Sequence, residues 1–223
     1  MATWAIGDVH GHLTVFEALL EYIPLAAGDK VVLLGDLIDR GPDSAGVLRR
    51  VHQLKNQRST VVLRGNHEAM LLEARNNRTS LPFWIECGGD ATLDSYNASS
   101  FYDIPQRDWE LFESSALYYE TADVIFVHGS LDPDLNMCDQ IENDMLWKFY
   151  ESPVRHMSGK LVVCGHAIQR SGLPSFGNYS ICIDTLPFSG LGWLTAINLE
   201  SRTFWQVDHL GHRRKDSFLS LDF

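Results

Sequence analysis

Three short apolar runs in the first third of the chain each stop at a glycine beside residues that suit metal ions. Residues 2–6 end at Gly7-Asp8-Val9-His10-Gly11. Residues 30–34 end at Gly35-Asp36-Leu37-Ile38-Asp39-Arg40-Gly41, and residues 60–63 lead through Arg64 to Gly65-Asn66-His67-Glu68. Two stretches of helical spacing separate them. Leu13, Phe16, Leu20 and Ile23 recur at three and four, and Val47, Leu48, Val51 and Leu54 do the same behind a helix start at Pro42-Asp43-Ser44. A β-α-β-α-β order demands parallel strands with right-handed crossovers. It brings all three polar tails to the C-terminal edge of one sheet, where open α/β sheets form their sites.

The remainder extends this pattern. Residues 67–115 are helical in character, broken at Gly88-Gly89 and Pro105, and a helix is expected over 139–150. Strands are expected at 117–120, 124–127, 161–164, 180–183, 193–198 and 203–207. Two of them also end in histidine: His128-Gly129 follows 124–127, and Gly165-His166 follows 161–164. No repeat, linker or shift in composition divides the chain, so one α/β domain over 1–223 is expected.

Lys and Arg total 18 against 29 Asp and Glu, a net charge of −11. That balance argues against a nucleic-acid backbone or an anionic membrane as the main partner. The uncharged stretch 185–199 is broken by Pro187, Gly190 and Gly192 and is too short to span a bilayer. No basic segment opens the chain, so no signal peptide is expected. Cys87, Cys138, Cys164 and Cys182 form no Cys-x-x-Cys, which fits reduced thiols in a cytoplasmic protein. On the same grounds the sequons at Asn77, Asn97 and Asn178 are read as chance.

The donors at the strand ends are carboxylates, imidazoles and one amide oxygen. They suit manganese, iron or zinc; a structural zinc site would want thiolates. An aspartate such as Asp36 can bridge two metals with its two oxygens. Two metals roughly 3.5–4 Å apart can activate a water and stabilise in-line displacement at phosphorus. Each piece alone is ordinary, since Gly-Asp is common in turns and a lone strand-end histidine is usually structural. The ordered set of five is not ordinary. His12, His52, His156, His209 and His212 are read as solvated or structural.

With these motifs, and with Gly88-Gly89-Asp90-Ala91-Thr92-Leu93-Asp94-Ser95-Tyr96, Leu146-Trp147 and Ile183-Asp184-Thr185, the chain resembles the phosphoprotein phosphatase branch of the calcineurin-like metallophosphoesterases. The likeness is to the compact bacterial and bacteriophage lambda-type serine/threonine protein phosphatases. It implies an αββα sandwich of two mixed β-sheets flanked by helices. It also implies two divalent ions, manganese first, with iron or zinc as alternatives. Asp8, His10 and Asp36 would hold one ion; Asp36, Asn66, His128 and His166 would hold the other, with Asp36 shared. Arg40 would grip the phosphoryl oxygens. His67, oriented by Asp39, would protonate the leaving oxygen. The attacking group would come from metal-activated water, without a covalent phosphoenzyme, and the substrate would be a phosphoprotein, on phosphoserine and phosphothreonine or with dual specificity, or a small phosphoester. The bacterial and phage relatives carry a second phosphate-binding arginine two residues after Leu-Trp. That position is Phe149 here, and Arg170 or Arg155 is the expected substitute. His128-Gly129-Ser130 and Asp184-Thr185-Leu186-Pro187 also depart from the usual pattern.

Three rivals remain at this level. A dinucleoside polyphosphate (diadenosine tetraphosphate) hydrolase of the same superfamily would share the metal motifs but typically reads Gly-Asn-His-Asp, where this chain has Glu68. Cys164, followed by Arg170-Ser171, fits the loose outline Cys-x5-Arg-Ser of a thiolate phosphatase. An inactive metal-binding regulatory module would be expected to have lost a ligand or the acid, and all are present.

Overall fold

The computed structural model describes residues 1–149, 155–185 and 187–218. Its first half alternates strand and helix as expected: β1 (Thr3–Ile6), α1 (Leu13–Tyr22), β2 (Lys30–Leu33), α2 (Ser44–Gln57), β3 (Thr60–Val62) and α3 (Asn66–Asn76). Short helices follow, α4 (Leu81–Trp84), α5 (Asp90–Ser95) and α6 (Gln106–Ser114), with a π-turn between α4 and α5 where Gly88 takes φ 103°. Then come β4 (Tyr118–Glu120), β5 (Val124–Val127), α7 (Glu142–Trp147), β6 (Leu161–Cys164), β7 (Ser175–Phe176), β8 (Ser180–Cys182), β9 (Trp193–Asn198), β10 (Thr203–Asp208) and β11 (Arg213–Ser217).

Two mixed sheets result. One has the order β11-β10-β9-β1-β2-β3 and the other β4-β5-β6-β8-β7. Parallel cores, β1-β2-β3 and β5-β6-β8, are flanked by antiparallel strands. The period of two along each strand decides which layer a side chain joins. Trp4, Ile6, Val31 and Leu33 pack with Phe16, Leu19, Leu48 and Val51 of α1 and α2. Ala5, Val32 and Leu34, on the opposite face, pack with Phe126, Val163 and Ile181 of the second sheet. Ile125 and Val127 turn outward to Met145 of α7. The layers are therefore helix, sheet, sheet, helix. Among the described residues, no helix is long and apolar enough to cross a membrane.

The expected elements hold except at three places. The helix expected over 139–150 is only α7. Met137–Asp139 makes a separate 3-10 turn, and the Gln140 side chain donates to the carbonyls of Asp132 and Leu135, fixing an extended lead-in; residue 150 lies outside the described residues. The strands β7 and β11 were not expected. β7 is two residues long, and β11 reads Arg-Arg-Lys-Asp-Ser, without apolar alternation. As an edge strand, β11 draws its order from the β10 ladder, and its charges discourage further pairing.

Candidate metal centre

Every motif tail lands on one pocket between the sheets' C-terminal strand ends. Asp8, His10, Asp36, Asp39, Asn66, His67 and His128 are buried there, His166 is half-buried and Arg40 is exposed. The loops are tight because the backbone leaves each strand sharply. Among the described residues seven non-glycine residues have positive φ, and five of them are His10, Asp36, Asp39, Arg40 and His166. That conformation costs energy and persists only where surrounding contacts impose it, which is characteristic of functional sites. Two loops meet at glycine: a Cβ on Gly65 would lie 2.1 Å from Asp36 Oδ1, and one on Gly165 would lie 2.2 Å from Asp8 Oδ1.

Asp36 is the centre. Its Oδ2 lies 3.5 Å from His10 Nε2 and 4.0 Å from His67 Nε2, and its Oδ1 lies 3.4 Å from His128 Nε2. The ligand atoms of His10, Asp36 and His67 form one compact group, and those of Asp36, His128 and His166 form another. Asn66 joins the second, with its Oδ1 2.9 Å from His128 Nε2. Asp8 falls in neither group; it accepts from the backbone N–H of His166 at 3.1 Å.

The four pocket histidines divide into two kinds. His10 Nδ1 donates to the Ile38 carbonyl, His128 Nδ1 to the Leu34 carbonyl and His166 Nε2 to the Trp147 carbonyl. Each keeps one ring nitrogen for the pocket. Burial holds all three below the ordinary imidazole pKa, although Asp36 pulls the other way; His128 falls to about 4. Neutral imidazoles with one nitrogen tied to a carbonyl are oriented metal ligands. His67 differs: its Nδ1 donates to Asp39 Oδ2 at 2.7 Å. Burial opposes its charge, but Asp36 and Asp39 outweigh burial and raise its pKa.

Asp39 is itself held from several sides. Its carboxylate also accepts from Trp84 Nε1 at 2.8 Å and Thr92 Oγ1 at 2.7 Å. Glu68 accepts from the backbone N–H groups of Gly65, Asp36 and Leu37, locking the third motif onto the second; burial, then Asp36, raises its pKa to about 7. Sequence reasoning assigned no role to Thr92, Glu68 or Trp84. Thr92 and Glu68 lie inside quoted motifs, whereas Trp84 carries no local signal and reaches Asp39 only through the turn after α3.

The donor set fits cations. With Nδ1 donating, neutral His128 presents the lone pair of Nε2 to Asn66 Oδ1 and Asp36 Oδ1, so three acceptors converge with no hydrogen between them. Asp8 is pushed well above the carboxylate range by burial, then by Asp184 and Asp36, an excess of negative charge that a cation would relieve. Cys164 does not supply a thiolate: its hydrogen bond with Cys182 and its burial hold it protonated, which removes the cysteine-nucleophile reading.

Residues 1–193 match the family model for calcineurin-like phosphoesterases. The chain belongs to that family. Serine/threonine-protein phosphatase 2 of Escherichia coli (strain K12) is 38% identical over 92 residues, 41% of this chain and 40% of that protein. The symmetrical bis(5'-nucleosyl)-tetraphosphatase of Pseudomonas fluorescens (strain SBW25) is 31% identical over 134 residues, 60% of this chain and 44% of that protein. These matches span less than half the length of either relative. A crystal structure of a cold-active protein tyrosine phosphatase superposes with a TM-score of 0.68 at 21% identity, covering 96% of this chain and 78% of that one. A calcineurin-like phosphoesterase is a hydrolase of phosphoesters that works with divalent metals, and the buried donors described above are the groups available to hold them.

At the mouth of this phosphoesterase's pocket, Phe149 occupies the place of the expected second arginine. Its ring stacks on His166 with centroids 4.9 Å apart and planes at 21°. Of the expected substitutes, Arg155 lies over the Tyr179 ring, while Arg170 is exposed on the loop after His166. Lys148 is paired with Asp144. Arg40 is the cation felt by His10, His67 and His166. Its guanidinium lies 4.4 Å from the centroid of Phe188, with one nitrogen 2.9 Å from His10 Nε2. The Leu186 position of the Asp184-Thr185-Leu186-Pro187 departure lies outside the described residues.

Proposed function

We propose that the protein is a metal-dependent phosphomonoesterase acting on phosphoproteins, with phosphoserine and phosphothreonine as its first substrates and manganese as its metal. The observation that carries this reading is the division among the histidines: three rings tie one nitrogen to a backbone carbonyl, and one ties its Nδ1 to the Asp39 carboxylate. Asp8, His10 and Asp36 would hold one ion, and Asp36, Asn66, His128 and His166 the other; iron or zinc would suit the same donors. When bound, the ions would supply an activated water at neutral pH and stabilise phosphoryl charge.

The chain's own residues do the rest. Arg40 leaves the face of Phe188 and binds phosphoryl oxygens with its planar fork. His67 donates the proton on Nε2 to the leaving oxygen while Nδ1 stays on Asp39. Trp84 and Thr92 keep Asp39 from pivoting, so the acid keeps its aim. Geometry alone groups His67 with His10 and Asp36 as ligands. Its bond to a carboxylate, and the charge that bond preserves, favour the acid role.

A second reading, hydrolysis of dinucleoside tetraphosphates, is favoured by the longer match to the tetraphosphatase, 134 residues against 92. One experiment separates the two. The manganese-loaded protein is assayed side by side on a phosphothreonine peptide and on diadenosine tetraphosphate, before and after chelation. The expected result is chelator-sensitive peptide turnover with the higher kcat/KM. Higher kcat/KM on the tetraphosphate would install the second reading, and full turnover by chelated protein would end both.

A further inference from the structure

A second cavity shares no lining residue with the metal centre. It encloses about 820 Å³ beside α3, α6 and the 3-10 turns at Arg78–Ser80 and Phe101–Asp103. Small-molecule sites typically measure about 300–1,000 Å³. Three aromatic residues line it: Phe101, Tyr102 and Trp109. Trp109 is buried, and its ring meets that of Phe101 edge-on with centroids 6.0 Å apart. Tyr102 is 98% exposed although it lines the cavity. A flat apolar body in the cavity would take that ring out of water, and paired rings gain beyond the area they bury.

The charge of the lining is one-sided. Arg75 and Arg78 belong to it, and no aspartate or glutamate does. In the whole chain acids outnumber bases by 29 to 18, so a lining of this sign runs against the general balance. The acids close by in sequence are already engaged. Asp103 Oδ2 accepts from the backbone N–H groups of Ser99 and Ser100, and Glu73 Oε1 accepts from Asn77 Nδ2 and Ser80 Oγ. Glu113 pairs with Arg75 at 2.8 Å, and the Arg75 guanidinium also lies over Trp109, 4.2 Å from the ring centroid. Arg78 differs. It is exposed, and its guanidinium has no hydrogen bond, ion pair or ring contact among the described residues. One guanidinium of the cavity is therefore committed and one is spare. A spare guanidinium matches a single negative charge, and its planar fork fits the two oxygens of a carboxylate. A phosphate dianion would call on both arginines and would have to draw Arg75 from Glu113.

We propose that this cavity binds small aromatic carboxylates, with the carboxylate on Arg78 and the ring against Phe101, Tyr102 and Trp109. Binding there needs neither the metal ions nor phosphoester turnover. Phe101 nevertheless stands between the two sites: its ring lies 5.8 Å from that of Trp84, whose Nε1 donates to Asp39.

The test is calorimetric titration of the full-length, manganese-loaded protein with three probes. 2-Naphthoate joins a flat ring to one carboxylate, 2-naphthamide is its uncharged analogue, and 2-naphthylphosphonate carries the dianion. 2-Naphthoate should bind one per chain, about tenfold or more tighter than 2-naphthamide, the worth of a hydrogen bond to a charged group. Arg78→Ala should remove that advantage. Tyr102→Ala should weaken 2-naphthoate about three- to tenfold, the worth of one aromatic pair. Both residues are exposed, so neither change empties the core. Arg40→Ala should leave the affinity for 2-naphthoate within twofold, which places the binding outside the metal pocket. Affinity for 2-naphthoate weaker than about 1 mM, or equal to that for 2-naphthamide, overturns the proposal. So does affinity that Arg78→Ala leaves unchanged or that Arg40→Ala abolishes. Tighter binding of 2-naphthylphosphonate that depends on Arg78 would replace the carboxylate with a phosphate-type ligand and overturn the proposed class. Turnover is not read, so failure of the phosphatase reading leaves every one of these outcomes interpretable.

Discussion

The floor of the pocket and its mouth are built on different principles. On the floor, Asp36, Asp39, His67 and His128 are 0–2% exposed, and their polar atoms are tied to backbone or to one another. At the mouth, Arg40, Phe149 and Phe188 are exposed or half-buried and meet the floor through ring and guanidinium contacts with His10 and His166. The floor can hold charge because burial strengthens electrostatic interactions and fixed dipoles aim them. The mouth sits beside water, where stacking and shape discriminate better than charge. Chemistry should therefore collapse when the floor is altered, and selectivity should shift when the mouth is altered.

Asp36→Asn is the severest test. It weakens both groups of ligands at once, so metal content should fall at both sites and turnover should drop to background. Metal analysis beside an activity assay reads this directly, and retention of two ions per chain would break the claim that Asp36 is shared.

His67→Asn should leave metal content intact yet lower kcat by about 10²–10⁴-fold on alkyl esters. The loss should be smaller on p-nitrophenyl phosphate, whose leaving group needs less protonation. In wild type, His67 is held above the ordinary imidazole pKa by Asp36 and Asp39 against burial, so its proton persists beyond pH 6.5. As pH rises through that raised value the proton is lost and kcat should fall. The pH–rate profile of His67→Asn should lack this alkaline limb.

Arg40→Ala alters a charged contact at the mouth. It should lower kcat/KM by about 10–100-fold, the worth of a hydrogen bond to a charged group, with metal content unchanged. A comparable loss of metal would move Arg40 from the mouth to the floor.

Trp84→Phe should be the mildest. It keeps the ring in the core but leaves Asp39 without one buried donor, costing about 1.5–3 kcal/mol of stability. Thermal unfolding in chelator reads that cost apart from metal binding. Stability equal to wild type would mean that Thr92 and His67 suffice to satisfy Asp39.

Legibility in the sequence follows the same division. Asp8, His10, Asp36, Asp39, Asn66, His67, His128 and His166 were readable because each stands within a few residues of a strand's end. Parallel strands bring such ends together wherever their helices cross. Thr92 and Glu68 were visible inside motifs but without roles, since their partners lie 53 residues away in one case and about 30 in the other. The rings at the mouth were harder. Phe149 was noticed as an arginine that is not there, and Phe188 was not noticed, because its contacts with His10 and Arg40 bridge most of the chain.

The sequence by itself determined the order of the strands and helices that carry the motifs and the set of donors that would meet. Those depend on local periodicity and on what leaves a strand at its C-terminal edge. Tertiary structure alone decided how the four pocket histidines differ in their partners and in the direction of their pKa shifts. All four are imidazoles at strand or helix ends; three find a backbone carbonyl and are lowered in pKa by burial, and one finds Asp39 and is raised. The difference is a partner brought from elsewhere in the chain, and a residue's pKa is set by what surrounds it after folding.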